Sequence, residues 1–212
     1  MNNTTILGST YLGPVEYYSK LLAYKRIYLE QHDHYMKQTY RNRCIIASAN
    51  GPLALTIPTE KTDNDKCAMK DVRISDHGNW RHNHWNAFVA SYKQSPFFDY
   101  YADEFNAFFT RKYEFLFDFN LELCQWVCEQ IDFTPTIVPT YEFVTDTAGM
   151  DDFRETIHPK MQANHDFIAK PYYQVFEQKQ GFEPNLSIAD LLFNMGPESI
   201  LVLRDCIKKQ TV

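Results

Sequence analysis

The sequence predicts an α/β protein. Its mixed sheet begins with a strand–turn–helix–strand unit and is flanked by an aromatic-rich helical region. Three observations carry this. The first thirty residues alternate between β-prone and helical runs on either side of Gly13-Pro14. Two short apolar runs flank Asn50-Gly51, a strong hairpin signal. From Asn79 to about residue 132, apolar and mostly aromatic positions recur at helical spacing. A chain of 212 residues fits one domain, 1–212, with the helical subregion at about 79–132. That length buries a full core without disulfide or metal staples.

The elements follow in order. Thr4 to Gly8 is β-prone, and Tyr11-Leu12-Gly13-Pro14 punctuates it as a turn. Val15 to Ala23 places Val15, Tyr18 and Leu22 near helical spacing, and Arg26 to Glu30 alternates as a strand. Strand, helix, strand in that order favours a parallel pair with a right-handed crossover. Gln31 to Arg43 is polar and rich in His and Tyr. Cys44 to Ala47 and Leu53 to Ile57 form the expected hairpin, Pro58 to Cys67 reads as a charged mobile loop, and Val72 to Ile74 as a short strand.

Asn79 is placed to N-cap a helix running to about Lys93, broken by Ser95-Pro96. Tyr101 to Phe109 is a second helix and Phe119 to Ile131 a third, with Pro135 beyond its end. Thr136 to Val138 and Tyr172 to Glu177 read as strands, with an irregular polar stretch, Thr140 to His165, before the latter. Ser187 is positioned to cap a helix whose body is Ala189 to Phe193. Gly196-Pro197 ends it, and Pro197 suits the first position of a last helix through Ile207.

Composition removes several function classes. The net charge is −6 and no Lys/Arg run exceeds two, so the expectation is no nucleic-acid partner. The five cysteines form no CxxC, and buried thiols in a reducing cytoplasm are expected rather than a disulfide framework. The first eight residues do not read as a signal peptide, and no apolar run reaches membrane-spanning length, so no integral membrane segment is expected. Aromatics at 16% favour a ring-packed core, although rings also line sugar and nucleotide sites.

Several ordered motifs resemble those of the WbqC-like family. The chain opens with a strand, a Tyr-rich turn and helix, and an acidic strand. Arg41-Asn42-Arg43 precedes an apolar strand, and Leu55-Thr56-Ile57-Pro58 closes the next one. Trp80 and His84 are followed by Tyr92-Lys93 and Pro96-Phe97-Phe98, then Phe119-Asn120-Leu121. Phe182-Glu183-Pro184-Asn185-Leu186-Ser187-Ile188 with Asp190 to Asn194 resembles the family's most distinctive stretch. Two departures stand out. Ser9-Thr10 occupy the place of the family's Gln-Pro, and Thr140 to His165 lacks its Gly- and Tyr-rich stretch. The resemblance implies a transferase-type enzyme acting on a sugar nucleotide or an activated acyl or aminoacyl donor in surface-polysaccharide biosynthesis. It carries over no catalytic residues and leaves the cofactor unknown. A non-catalytic binding or scaffold protein of envelope assembly is the alternative reading, and a metal-dependent hydrolase the third.

Five groups of residues have chemistry to offer. A strand-to-helix turn directs backbone N–H groups and a helix dipole at one place, so Ser9, Thr10 and Tyr11 are candidates for binding a small anionic metabolite such as a nucleotide sugar. The competing reading is a plain connection, since no phosphate-loop motif is present. In His32-Asp33-His34, His32 is a candidate general base; a metal would need a third ligand such as His82, His84 or Asp71, and no metal site is assigned. Arg41, Asn42 and Arg43 suit a phosphate or carboxylate, against a role for Asn42 in a turn. Trp80 and His84 share a helix face, for sugar stacking and base catalysis or simply as core. Asn185, as a substrate-binding residue, and Asp190, as a catalytic carboxylate, complete the candidates. Asp190 in an apolar helix needs a partner, either Arg43 or a backbone nest, or serves a capping box.

Overall fold

The computed structural model describes residues 3–61 and 67–208. Most of the charged stretch between Pro58 and Cys67 lies outside the described residues. The opening unit forms as its pattern predicts. β1 (Thr4–Gly8) pairs in parallel with β2 (Arg26–Glu30), and α1 (Val15–Ala23) connects them. Ile6, Leu7, Ile27 and Leu29 are buried, as strands covered on both faces require. Gly13 permits the tight approach before α1, because a Cβ there would lie 2.6 Å from the Thr10 hydroxyl.

Two further strands complete the sheet. β5 (Ile137–Pro139) adds to β2, and β6 (Asp151–Asp152) adds to β1. All pairs are parallel and the order is β5-β2-β1-β6. β3 (Arg43–Ile46) and β4 (Leu53–Thr56) form a separate antiparallel hairpin across Asn50-Gly51.

The helices supply the aromatic core. They are α2 (Trp80–Tyr92), α3 (Phe98–Thr110), α4 (Leu116–Gln130), the single turn α5 (Glu177–Gln180), α6 (Ile188–Met195) and α7 (Ser199–Asp205). α6 touches α1, α2, α3 and α4 and is buried on nearly every side. Phe193 on α6 meets Phe88, Tyr92, Phe98 and Phe105 edge-on or tilted, with centroids 5.1 to 6.4 Å apart. These are the favoured geometries for ring quadrupoles. α6 stops at Gly196, whose φ of 54° and contact with the Phe97 ring leave no room for a side chain.

Four sequence expectations change. Asn79 does not cap α2 through its side chain; it takes a left-handed conformation (φ 49°) at the end of a 3-10 turn, His77–Asn79. Val72 to Ile74 forms isolated bridges, Arg73 to Phe115 and Thr59 to Ile74, rather than a strand. Tyr172 to Glu177 forms no strand: it is unpaired through Gln174, turns at Val175-Phe176 and enters α5 at Glu177, with only Tyr172 and Gln174 buried. Pro197 lies in a 3-10 turn, Gly196–Glu198, and the last helix follows it.

Candidate functional site

The strand order decides where a ligand site forms. β1 connects outward to β2 on one side, while β6 joins on the other. In open parallel sheets ligands bind outside the carboxyl ends of strands at such a switch point. β1 ends at Gly8. Beside it the Phe153 amide still donates to the Ile6 carbonyl at 3.0 Å, and then the chain turns away. The turn is made by Asp152, whose Oδ1 accepts from the Arg154 amide at 3.0 Å. A narrow crevice of about 10 Å³ opens there, lined by Gly8, Ser9, Thr10, Tyr40, Arg41 and Arg154 among others. It is sized for one polar group of a ligand rather than a whole dinucleotide.

Arg41 is the buried cation of this crevice. Its Nε donates to Asp33 Oδ2 at 3.1 Å, its Nη2 closes a second bond to the same oxygen, and Nη2 also reaches Glu155 Oε1 at 3.2 Å. Both members of the Arg41–Asp33 pair are buried, whereas the Glu155 side chain is 63% exposed. Burial pushes the Asp33 carboxyl up, Arg41 opposes this, and Glu30 and Glu155 add to the rise. Asn120 on α4 fixes the backbone here, donating to the Arg41 carbonyl at 2.8 Å and to Ser9 Oγ at 3.0 Å. Asp33 Oδ1 and Asn120 Oδ1 are buried without a hydrogen-bond partner. Such atoms are costly unless water or a ligand meets them.

Arg154 is held by a second carboxylate group. Its Nη1 donates to Glu30 Oε2 at 3.2 Å and to the Val144 carbonyl at 2.8 Å, and its Nη2 to Asp152 Oδ2 at 2.6 Å. Glu30 is fully buried and also accepts from the His32 amide, the Thr140 hydroxyl and the Val144 amide. One carboxylate thereby ties β2, the segment after β5 and Arg154 together.

The helix entry differs from the sequence expectation. The Val15 amide donates to the Leu186 carbonyl at 2.9 Å and the Glu16 amide to Asn185 Oδ1 at 2.9 Å. The start of α1 is therefore capped from within, and the cationic groups at the crevice are guanidinium groups instead. Asn185 itself adopts φ 55° and also donates to Glu16 Oε2 at 3.2 Å.

Of the sequence candidates, the structure brings Ser9, Thr10 and Arg41 to the crevice. Tyr11 points away into the core, where its hydroxyl meets His84 Nδ1 at 2.9 Å and its ring packs on Phe119. Trp80 packs edge-on against His84 and Phe119 in the same cluster. Burial lowers the His84 imidazole to about 4, with the Thr56 backbone opposing. Asn42 donates to the Ile57 carbonyl at 2.9 Å and organises the entry to the hairpin. Arg43 lies on that hairpin, donating to Thr56 Oγ1 at 3.1 Å. His32 lies beyond β2, with Nε2 3.2 Å from the Thr140 carbonyl.

Asp190 is fully buried and is not paired with Arg43. It accepts from the Tyr92 hydroxyl at 3.0 Å, the Tyr172 hydroxyl at 2.7 Å and Gln174 Nε2 at 2.9 Å. His32, His84, Arg43 and Asp190 thus occupy four separate surroundings. His82 bonds Asn86 on the exposed face of α2, so the two His-x-His sequences do not converge. Among the described residues no three His, Cys, Asp or Glu side chains are arranged to hold a metal ion. The residues unmarked as site candidates in the sequence are Glu30, Asp33, Asn120, Arg154 and Glu155.

No helix among the described residues is long and apolar enough to cross a membrane. No solved structure matches this chain. A curated relative, "Uncharacterized protein Rv1507c" of Mycobacterium tuberculosis, is 23% identical over 231 residues, covering 97% of this chain and 99% of its own length. The family model described as the WbqC-like protein family matches residues 9–169 and 142–202. Those matches run through the 140–165 stretch that carries no family motif legible by eye, and they include every residue of the crevice but Gly8. The chain belongs to the WbqC-like protein family.

Proposed function

We propose that this WbqC-like protein is a transferase-type enzyme. Its ligand is a nucleotide-linked sugar or an activated acyl or aminoacyl donor of surface-polysaccharide biosynthesis, and the crevice beyond β1 and β6 receives the ligand's anionic group. One observation carries the reading. At the switch point of a parallel sheet stands a buried guanidinium, aimed by a buried carboxylate and covered on its outer side by an exposed one. Glu155 is weakly held by burial, so a phosphate or carboxylate of the ligand replaces it at Arg41. Asp33 is then a positioning residue that fixes the guanidinium before the ligand arrives. The Thr10 hydroxyl, which lines the crevice, gives the incoming group a hydrogen bond.

Positioning of two substrates is the main contribution such a site makes to group transfer. The five cysteines are free thiols, four of them buried, which supports a reducing compartment such as the cytoplasm. A thermal-shift panel of nucleotide sugars, nucleotides and acyl-CoA tests the reading, followed by product analysis with amino-sugar acceptors. The proposal expects stabilisation by one class and turnover of it. A flat response across the panel rejects it, and tight binding without turnover favours a binding protein.

A further inference from the structure

A second, larger cavity of about 380 Å³ shares Tyr40 with the crevice. Its walls are mostly apolar: Ile45, Met161, Phe167 and Leu186 contribute from four separate segments. Volumes in this range hold small molecules.

Its polar features share one sign. Glu183 lines the cavity, and its carboxylate has no ion pair or hydrogen bond among the described residues. Behind the wall, Glu16 is 2% exposed and is held by neutral donors: the Asn164 amide at 2.7 Å, Asn164 Nδ2 at 2.6 Å and Asn185 Nδ2 at 3.2 Å. Lys20, nearby on α1, is occupied by Asp166 at 2.6 Å. Among the described residues no Lys, Arg or His lines the cavity. Tyr40 is 9% exposed, and its hydroxyl has no hydrogen-bond partner among the described residues. Burial, with Glu16 adding to it, pushes that hydroxyl up to about 12, so it stays a neutral hydrogen-bonding group.

We propose that this cavity binds a primary amine with an apolar body. The apolar walls bury the body, and Glu183 meets the ammonium group. The uncompensated field of Glu16 and Glu183 rejects an anion of the same shape. Tyr40, at the boundary of the two cavities, hydrogen-bonds the polar end of a ligand on either side. The site does not depend on the function proposed for the Arg41 crevice.

The test is a titration of the full chain with phenylethylamine, phenylethanol and phenylpropionate, followed by backbone amide chemical shifts. The amine is expected to bind and to shift the amides around Ile45, Phe167 and Leu186. Glu183→Gln is expected to weaken it roughly tenfold. Ala163→Trp, at an exposed position on the cavity wall, is expected to abolish binding without lowering Tm. Absence of amine binding overturns the proposal, as does equal binding of the alcohol or acid, or binding that survives Ala163→Trp. Nucleotide-sugar binding is followed on the same samples. Its loss alone rejects the crevice reading, and loss of the amine site alone rejects this one.

Discussion

Arg41 directs two N–H donors at a single oxygen of Asp33, Oδ2, while Oδ1 of the same buried carboxylate has no partner. The pair is one-sided. It holds the guanidinium in one orientation and leaves polar capacity unused in a buried place. Removing one member of a buried pair strands the other, at a cost of about 3 kcal/mol or more. Asp33→Ala is expected to lose that much in urea denaturation. The double variant Asp33→Leu with Arg41→Met is expected to recover most of it, because no charge is then stranded. A double variant as unstable as Asp33→Ala would contradict this account of the pair.

Glu155 should behave oppositely. Its side chain is largely exposed and adds little to stability. Glu155→Gln is expected to change stability by less than about 0.5 kcal/mol. It should also tighten the binding of an anionic ligand several-fold by removing a competitor from Arg41. Calorimetry on wild type and variant reads both effects, and a weaker-binding variant would count against the crevice as the anion site.

His84 makes stability depend on pH. Its folded value of about 4 lies below the ordinary 6.5, so the unfolded chain binds the proton more tightly. This contribution is fully present above pH 6.5 and is lost as pH falls towards 4. The difference corresponds to about 3 kcal/mol. His84→Gln, which can still bond the Tyr11 hydroxyl, is expected to flatten the stability profile between those two pH values. An unchanged slope would show that the ring is not held neutral.

Asp190 is expected to act as a tether joining α2, α6 and the segment at Tyr172. Tyr172→Phe removes one hydrogen bond to a buried carboxylate and should cost about 2 kcal/mol. Ligand affinity at the crevice should not move. Affinity that falls while Tm holds would instead place Asp190 in the ligand site.

Much of the fold was legible because local pattern and tertiary role agree. The opening unit and the Asn50-Gly51 hairpin carry their own periodicity and turn chemistry. β6 was illegible, since a strand of two aspartates has no apolar alternation and exists through its pairing with Thr5 and Ile6. Tyr172 and Gln174 do alternate inward, but they do so to reach Asp190 rather than to enter a sheet. That is how a two-residue period arises without a strand.

The candidate site was legible in part. Arg41 and the Ser9-Thr10 turn were visible from residue type and place. Asp33, Arg154 and Glu155 were not, because parallel pairing of β1 with both β2 and β6 brings three distant segments together. His84 and Asp190 have the right chemistry, but their networks lie inside the core.

The central claim is that Arg41, beyond the carboxyl ends of β1 and β6, receives the anionic group of the ligand. The most direct measurement is calorimetric titration of wild type, Glu155→Gln and Arg41→Met with the nucleotide sugar or acyl donor that stabilises the protein most, each variant first shown to be folded. The account expects binding to wild type, tighter binding to Glu155→Gln and no binding to Arg41→Met. Equal affinity for all three would contradict it.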